Sequence, residues 1–155
     1  RGHYTLFFFY PMDFSLVCPT EFHALQDNIG EFAKRNVDLV AISTDSIYTH
    51  SAWTKIPRKE GGIGGTTFKM VSDAPQTLSR AFGSFDEEEG VALRGTFLID
   101  QNLIVQYGSI NNLAFGRSIS EILRVIDAIQ FAAVHKNLCP ANWRPGQEGL
   151  KRLND

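Results

Sequence analysis

Residues 4–21 read Tyr-Thr-Leu-Phe-Phe-Phe-Tyr-Pro-Met-Asp-Phe-Ser-Leu-Val-Cys-Pro-Thr-Glu, and this stretch decides the fold. Tyr4 to Tyr10 is a run of apolar and β-prone residues, the pattern of a strand buried on both faces. Pro11 ends it, because proline cannot donate to a strand ladder. After a short loop, Cys18-Pro19-Thr20-Glu21 opens a helical pattern with Phe22, Leu25, Ile29 and Phe32 on one face. A cysteine therefore stands where a strand hands the chain to a helix N-terminus. Unpaired N–H groups and the positive end of the helix dipole favour an anion there, and the thiolate is the nucleophilic form of cysteine. Pro19 suits a first helical turn and restricts the backbone of Cys18. Position alone leaves two readings open, a reactive thiol and a buried structural one.

The rest of the chain sets the frame. Its 155 residues suggest one domain with a real core. The 43% hydrophobic and 21% charged content is ordinary for a globular protein. A net charge of −2 gives no electrostatic case for nucleic acid or an anionic membrane. No apolar run approaches the ~20 residues of a membrane span. The sequence opens on Arg1-Gly2-His3 almost directly before a strand, the look of a piece truncated at both ends. A cytoplasmic location is expected, with organelle targeting left open. Two cysteines do not make a disulfide scaffold, and neither belongs to a Cys-x-x-Cys pair. His3, His23, His50 and His135 are scattered without ligand spacing, so no metal and no cofactor is expected.

Downstream, Val37 to Ser43 reads as a second buried strand. Thr44-Asp45-Ser46 supplies capping chemistry for a helix over residues 47–53. Residues 57–65 read as a loop, and the Gly61-Gly62-Ile63-Gly64-Gly65 run as a flexible turn without the lysine of a phosphate loop. A strand is expected over 68–71 and a helix over 76–82. The Asp86-Glu87-Glu88-Glu89 run reads as a solvated turn. Residues 94–100 and 103–110 read as a hairpin joined at Gln101-Asn102. Ser118-x-x-Glu121 is a capping box opening a helix with Ile119, Ile122, Leu123, Ile126 and Ile129 on its apolar face. The tail over 136–155 has no clear period. Strands alternating with helices before a hairpin predict an α/β fold with a central mixed β-sheet flanked by α-helices.

Pro11, Ser15 and Cys18 fit the pattern Pro-x-x-x-Thr/Ser-x-x-Cys. With Phe9-Tyr10 before it and Pro19-Thr20-Glu21 after it, the stretch resembles the active-site loop of the typical two-Cys peroxiredoxins, the thioredoxin peroxidase and alkyl hydroperoxide reductase C family. That resemblance runs over nearly the whole chain and implies a thioredoxin-like fold. It also implies a thiol peroxidase acting on hydrogen peroxide and organic hydroperoxides, with Cys18 as the peroxide-reactive thiol. Ser15, Arg94 and Pro11 would surround the sulfur. The segment Leu138-Cys139-Pro140-Ala141-Asn142-Trp143 resembles the family's Val-Cys-Pro-x-x-Trp, so Cys139 would be the resolving thiol. In that family the disulfide joins two subunits of a homodimer, dimers form rings, and thioredoxin or a similar dithiol reduces the bond. Glu21 and Arg117 match a pair that orients the catalytic arginine, with surface charges as the plain alternative. Tyr10 and Trp53 match aromatic positions near the loop, and core packing explains them equally well. Thr20 lies in the motif and also suits a helix cap.

Small departures stand out. Ser15-Leu16 occupies the place of the usual Thr-Phe, which keeps the hydroxyl but loses a methyl and its rotamer restriction. Gly61-Gly62-Ile63-Gly64 resembles the loop of eukaryotic members that are easily over-oxidised, whereas their C-terminal Tyr-Phe pair is not in this sequence. A reading of another class is an oligomeric chaperone or redox sensor whose main role is binding partner proteins.

Overall fold

A computed structural model describes residues 3–153. The chain divides into two compact units after Arg117. In the first, β1 (Tyr4–Phe9) leads into α1 (Cys18–Asp27) and α2 (Ile29–Lys34), followed by β2 (Val37–Ser43) and α3 (Ile47–Thr54). Then come β3 (Lys69–Ser72), α4 (Thr77–Ala81), the short strands β4 (Phe85–Asp86) and β5 (Val91–Ala92), and finally β6 (Arg94–Ile99) and β7 (Val105–Asn111). The second unit holds α5 (Ile119–His135) and the tail.

The main sheet has the order β3-β2-β1-β6-β7. β1, β2 and β3 run parallel, whereas β6 is antiparallel to both β1 and β7. This is the mixed sheet flanked by helices expected from the alternation. Strand periodicity sends alternate residues of β1 to opposite faces. On one face Tyr10 joins Cys18, Phe22, Ala41, Trp53 and Ile63 in a fully buried cluster. On the other, Phe9 joins Ile42, Ala92 and Phe97, with Leu78 and Phe82 packed against them. α2 packs on β2 and α3 on β3. The β-strand at the centre therefore ends against the first turn of α1, and the loop 11–17 between them is short.

Several boundaries differ from the sequence pattern. The helix expected from Cys18 through Phe32 is two helices, because Asn28 leaves helical geometry and its side chain donates to the Ala24 carbonyl at 2.8 Å. Ile29 is then only partly buried, whereas Phe22, Leu25 and Phe32 are fully enclosed. The acidic run is a turn, as expected, but it closes the small β4–β5 hairpin, with the Asp86 carboxylate accepting from the Glu88 and Glu89 N–H groups. The β6–β7 connection is longer than two residues. Asp100 Oδ1 accepts from the N–H groups of Asn102 and Ile104, and Leu103 takes a left-handed φ of 63°.

The glycine run is not a loose turn. A Cβ on Gly62 would lie 2.1 Å from the Ile56 carbonyl oxygen, so close backbone approach requires glycine there. That approach seats Ile63 in the cluster around Cys18. Residues 58–60 form a 3₁₀ turn inside the stretch expected to be loop.

In the second unit the Ser118 hydroxyl accepts from the Glu121 N–H, one half of the capping box, while Glu121 pairs with Arg124 instead of reaching back. Ile119, Ile122 and Ile126 are buried; Leu123 and Ile129 are partly so. Among its described residues the tail holds no helix. Leu138 and Leu150 form an isolated bridge, and Trp143 packs at a tilt against Phe131 with 4.8 Å between ring centroids.

Leu98 sits fully buried at the centre of β6, opposite Leu6 of β1 and Tyr107 of β7. Leu98→Ala should cost about 2–5 kcal/mol of folding free energy, measured by urea denaturation with the fold checked by circular dichroism.

Candidate active site

Cys18 is the first residue of α1 and is fully buried. Val17 holds the N-cap position without a side-chain cap. The Thr20 hydroxyl donates to the Val17 carbonyl at 2.6 Å, so it does not satisfy an N–H of the first turn. Those N–H groups carry the partial positive charge of the helix end, and the sulfur belongs to the same turn.

Two arginines converge on this turn from the end of the sheet. Arg94 opens β6, and its Nη1 donates to Cys18 Sγ at 3.3 Å and to Glu21 Oε1 at 2.7 Å. Its Nε donates to the Leu113 carbonyl at 3.0 Å, which fixes the plane of the guanidinium. Arg117 reaches the same carboxylate through Nε to Oε2 at 2.7 Å and Nη2 to Oε1 at 3.0 Å, and its backbone N–H adds a bond of 2.9 Å to Oε2. Arg117 Nη1 donates to the Gly95 carbonyl at 2.9 Å. The guanidinium carbon lies 3.2 Å from the Phe8 ring centroid, a cation–π contact from beneath the sheet end.

The Arg94–Glu21 pair has side chains only 4% and 2% exposed. Burial pushes the Glu21 carboxyl up, but the Arg117 hydrogen bonds and charge, followed by Arg94, outweigh it and hold the group below the usual carboxylate range. Burial lowers Arg117 from its ordinary value, while Glu21 opposes that fall. A guanidinium so paired keeps its charge. Glu21 is thus an anion shared between two cations, and one of those cations has a second N–H contact directed to sulfur.

Pro11 is buried at the start of the loop and Ser15 is partly exposed. The Ser15 hydroxyl donates to the Met12 carbonyl at 2.9 Å, which leaves its oxygen lone pairs available as acceptors. Tyr10 packs edge-on against Phe22 at 4.8 Å and stacks on Trp53 at 6.1 Å. Its hydroxyl donates to Asp13 Oδ1 at 2.7 Å. Trp53 donates to the Gly61 carbonyl at 3.4 Å. Both aromatic residues therefore act as core packing and also border the thiol.

Cys139 belongs to the second unit, where its thiol donates to the Ala128 carbonyl of α5 at 3.4 Å. Arg124 Nη1 donates to the Trp143 carbonyl at 2.8 Å and ties the same Cys-Pro-x-x-Trp segment to the helix. Both cysteines are free thiols.

Sequence reading missed one cluster. Asp13, Asp45 and His50 bring ligand-type atoms within 4.8 Å of one another. Asp13 Oδ2 pairs with His50 Nδ1 at 2.6 Å, and Asp45 Oδ2 accepts from the Asp13 N–H and the Ser43 hydroxyl. Each of these atoms thus already has a protein partner. The separation of Asp13 from His50 along the chain hides the pair from any spacing rule.

The sequence matches the model of the AhpC/TSA family over residues 1–108, and the C-terminal domain of 1-Cys peroxiredoxin over residues 128–152. The chain belongs to the AhpC/TSA family of peroxiredoxins. Among peroxiredoxins it is 48% identical over 151 residues to a thioredoxin peroxidase of Echinococcus granulosus, which spans 97% of this chain and 78% of that protein. It is 43% identical over 148 residues to the chloroplastic 2-Cys peroxiredoxin BAS1 of Hordeum vulgare, covering 96% of this chain and 70% of the relative. The reduced 2-Cys peroxiredoxin of Plasmodium vivax superposes with a TM-score of 0.92 at 46% identity, over 95% of this chain and 76% of that one. The peroxiredoxin fold is the thioredoxin-like arrangement implied by the family resemblance of the sequence.

Removing Glu21's charge leaves two buried guanidiniums uncompensated. Glu21→Gln should lower stability by roughly 3–5 kcal/mol at neutral pH. The native carboxyl titrates below its ordinary 4.5, so its contribution is complete above that value and is lost as pH falls through the folded value. Urea denaturation across this acid range should show a flatter pH dependence in the variant.

Proposed function

We propose that the chain is a thiol peroxidase that reduces hydrogen peroxide and organic hydroperoxides, with Cys18 as the reacting nucleophile. The observation that carries this reading is the 3.3 Å contact from Arg94 Nη1 to Cys18 Sγ in the first turn of α1. A cation and a helix N-terminus on one sulfur stabilise negative charge there.

The thiolate attacks one oxygen of the hydroperoxide and forms a sulfur–oxygen bond as the oxygen–oxygen bond breaks. Sulfur is oxidised by two electrons to a sulfenic acid. The alkoxide or hydroxide that leaves takes a proton from solvent and departs as alcohol or water. Arg94 and the Cys18 N–H would hold the two oxygens as charge moves onto the leaving one. Ser15 would contribute its hydroxyl, and Pro11 would keep water from the sulfur. Glu21 and Arg117 would orient Arg94, and Tyr10 would support the loop from the core.

The sulfenic acid then condenses with the thiol of Cys139, releasing water and forming a disulfide. We assign that bond to two subunits of a homodimer and its reduction to thioredoxin or a similar dithiol. Names of relatives support both the peroxide substrate and the reductant. A Plasmodium yoelii neighbour modified at its N-terminus is described as forming an artifactual octamer, so related chains self-associate. In this reading residues 1–155 act as one peroxiredoxin domain with 136–155 as the tail that presents the resolving thiol. Among the described residues no helix is long and apolar enough to cross a membrane. A cytoplasmic or organelle interior suits the chemistry, because dithiol reductants keep thiols reduced there. The chaperone reading is not favoured, since the relatives are named for peroxide reduction.

Peroxide consumption coupled to thioredoxin tests the assignment. Cys18→Ser should abolish it. Cys139→Ser should preserve a single turnover, read as one equivalent of peroxide per chain, and stop recycling. Undiminished turnover in the Cys18→Ser protein would contradict the assignment.

A further inference from the structure

The buried pair of Asp13 and His50 lies outside the chemistry described above, and its hydrogen bonds have an unusual direction. His50 Nδ1 faces Asp13 Oδ2 at 2.6 Å, while Nε2 faces the Val71 carbonyl at 3.2 Å. A carbonyl oxygen can only accept, so Nε2 carries a hydrogen. Asp13 already accepts the Tyr10 hydroxyl hydrogen on its other oxygen. A bare Nδ1 lone pair set against a carboxylate oxygen at that distance would be repulsive, so a second hydrogen lies between them. An ordinary carboxylic acid gives up its proton far more readily than an imidazolium. Tyr10 and His50 both donate to Asp13. The pair is therefore an imidazolium and a carboxylate, with side chains 7% and 0% exposed.

The position of Asp13 gives the pair its consequence. It sits two residues after Pro11 and five before Cys18, within the loop that holds Ser15. Met12, Phe14 and Leu16 of this loop are exposed, and Phe14 has a left-handed φ of 59°. The Ser15 hydroxyl bond to Met12 stays within the loop. Asp13 accepts from Tyr10 just after β1 and supplies long-range anchors to His50 of α3 and, through its N–H, to Asp45 after β2.

We infer that His50 is a positioning residue for the peroxidatic thiol: its imidazolium pins Asp13, and through Asp13 holds the loop that sets Pro11 and Ser15 beside Cys18. This rests on the peroxidase reading of Cys18. The groups facing the imidazole are Asp13 from the loop, Tyr10 from the end of β1, Asp45 from the turn after β2 and the Val71 carbonyl from β3. Loss of the proton leaves Asp13 and Asp45 as two neighbouring carboxylates with no cation between the elements. Burial works against the charged ring, but the Asp13 hydrogen bond and charge prevail, and the imidazole titrates above its ordinary range. The stabilisation is therefore complete below that ordinary range and is lost as pH rises through the folded value. The Tyr10 hydroxyl, pushed up by burial and then by the Asp13 charge, stays protonated throughout.

Two measurements on the full chain test this. In the first, stopped-flow oxidation of Cys18 by hydrogen peroxide is followed across neutral and alkaline pH in the native protein and in His50→Gln, which retains a donor but does not titrate. The native rate should fall at alkaline pH. The variant should lack that falling limb and react about tenfold to a hundredfold more slowly at neutral pH. An identical alkaline limb in the two proteins would overturn the inference while leaving the peroxidase reading intact. Absence of any reaction in the native protein would overturn both. In the second, nitrogen-detected NMR of the native chain near neutral pH should show His50 with hydrogens on both ring nitrogens. A neutral tautomer would overturn the inference even if the variant failed to fold.

Discussion

The Glu21 carboxylate, bridging two guanidiniums in a place that water barely reaches, is the constraint on which the site depends. A lone arginine next to a buried sulfur would face the full cost of desolvation. Glu21 offsets that cost by accepting four hydrogen bonds, one from Arg94 and three from Arg117, including its backbone N–H. Each carboxylate oxygen accepts two of them, so both are engaged. Arg117 in turn is satisfied by the Gly95 carbonyl and by the face of Phe8. The consequence is a cation held in register with β6, one Nη1 hydrogen toward carboxylate and the other toward sulfur.

Sequence position explains how the pieces meet. Glu21 lies one helical turn beyond Cys18, so both side chains leave α1 on the same side. Arg94 begins β6, the antiparallel neighbour of β1, and β1 is the strand whose end feeds the loop to Cys18. Packing fixes the rest. Phe8 supports Arg117, while Tyr10, Phe22 and Trp53 enclose the sulfur on one face of the sheet. Gly95 has to be glycine for Arg94 to open this strand, since a Cβ there would lie 2.3 Å from the Ser84 hydroxyl oxygen. Fold and site are thus one set of contacts, in which the same aromatic residues build the core and shield the thiol.

Local chemistry made much of this legible in the sequence. The apolar run over β1, the proline stop and the cysteine at a helix start needed only strand and helix rules, and the Ser118 cap followed from its side-chain oxygen. Arg94, Glu21 and Arg117 stood out only through the resemblance, because nothing local distinguishes them from surface charges. The Asp13–His50 pair had no signal at all, since it joins a loop to a helix across the sheet edge. The break at Asn28 rests on a side-chain bond back to Ala24 and the packed Gly62 turn on close approach to the Ile56 backbone, local geometries that apolar periodicity does not report.

The account turns on a positive charge held against one sulfur atom, and Arg94→Gln removes the charge while leaving Glu21 paired with Arg117. The direct measurement is the second-order rate of Cys18 oxidation by hydrogen peroxide in this variant, with its fold confirmed by circular dichroism. The rate should fall by about a hundredfold to a thousandfold, the scale for losing a charge-stabilising donor. A correctly folded variant that reacts as fast as the native chain would contradict the account.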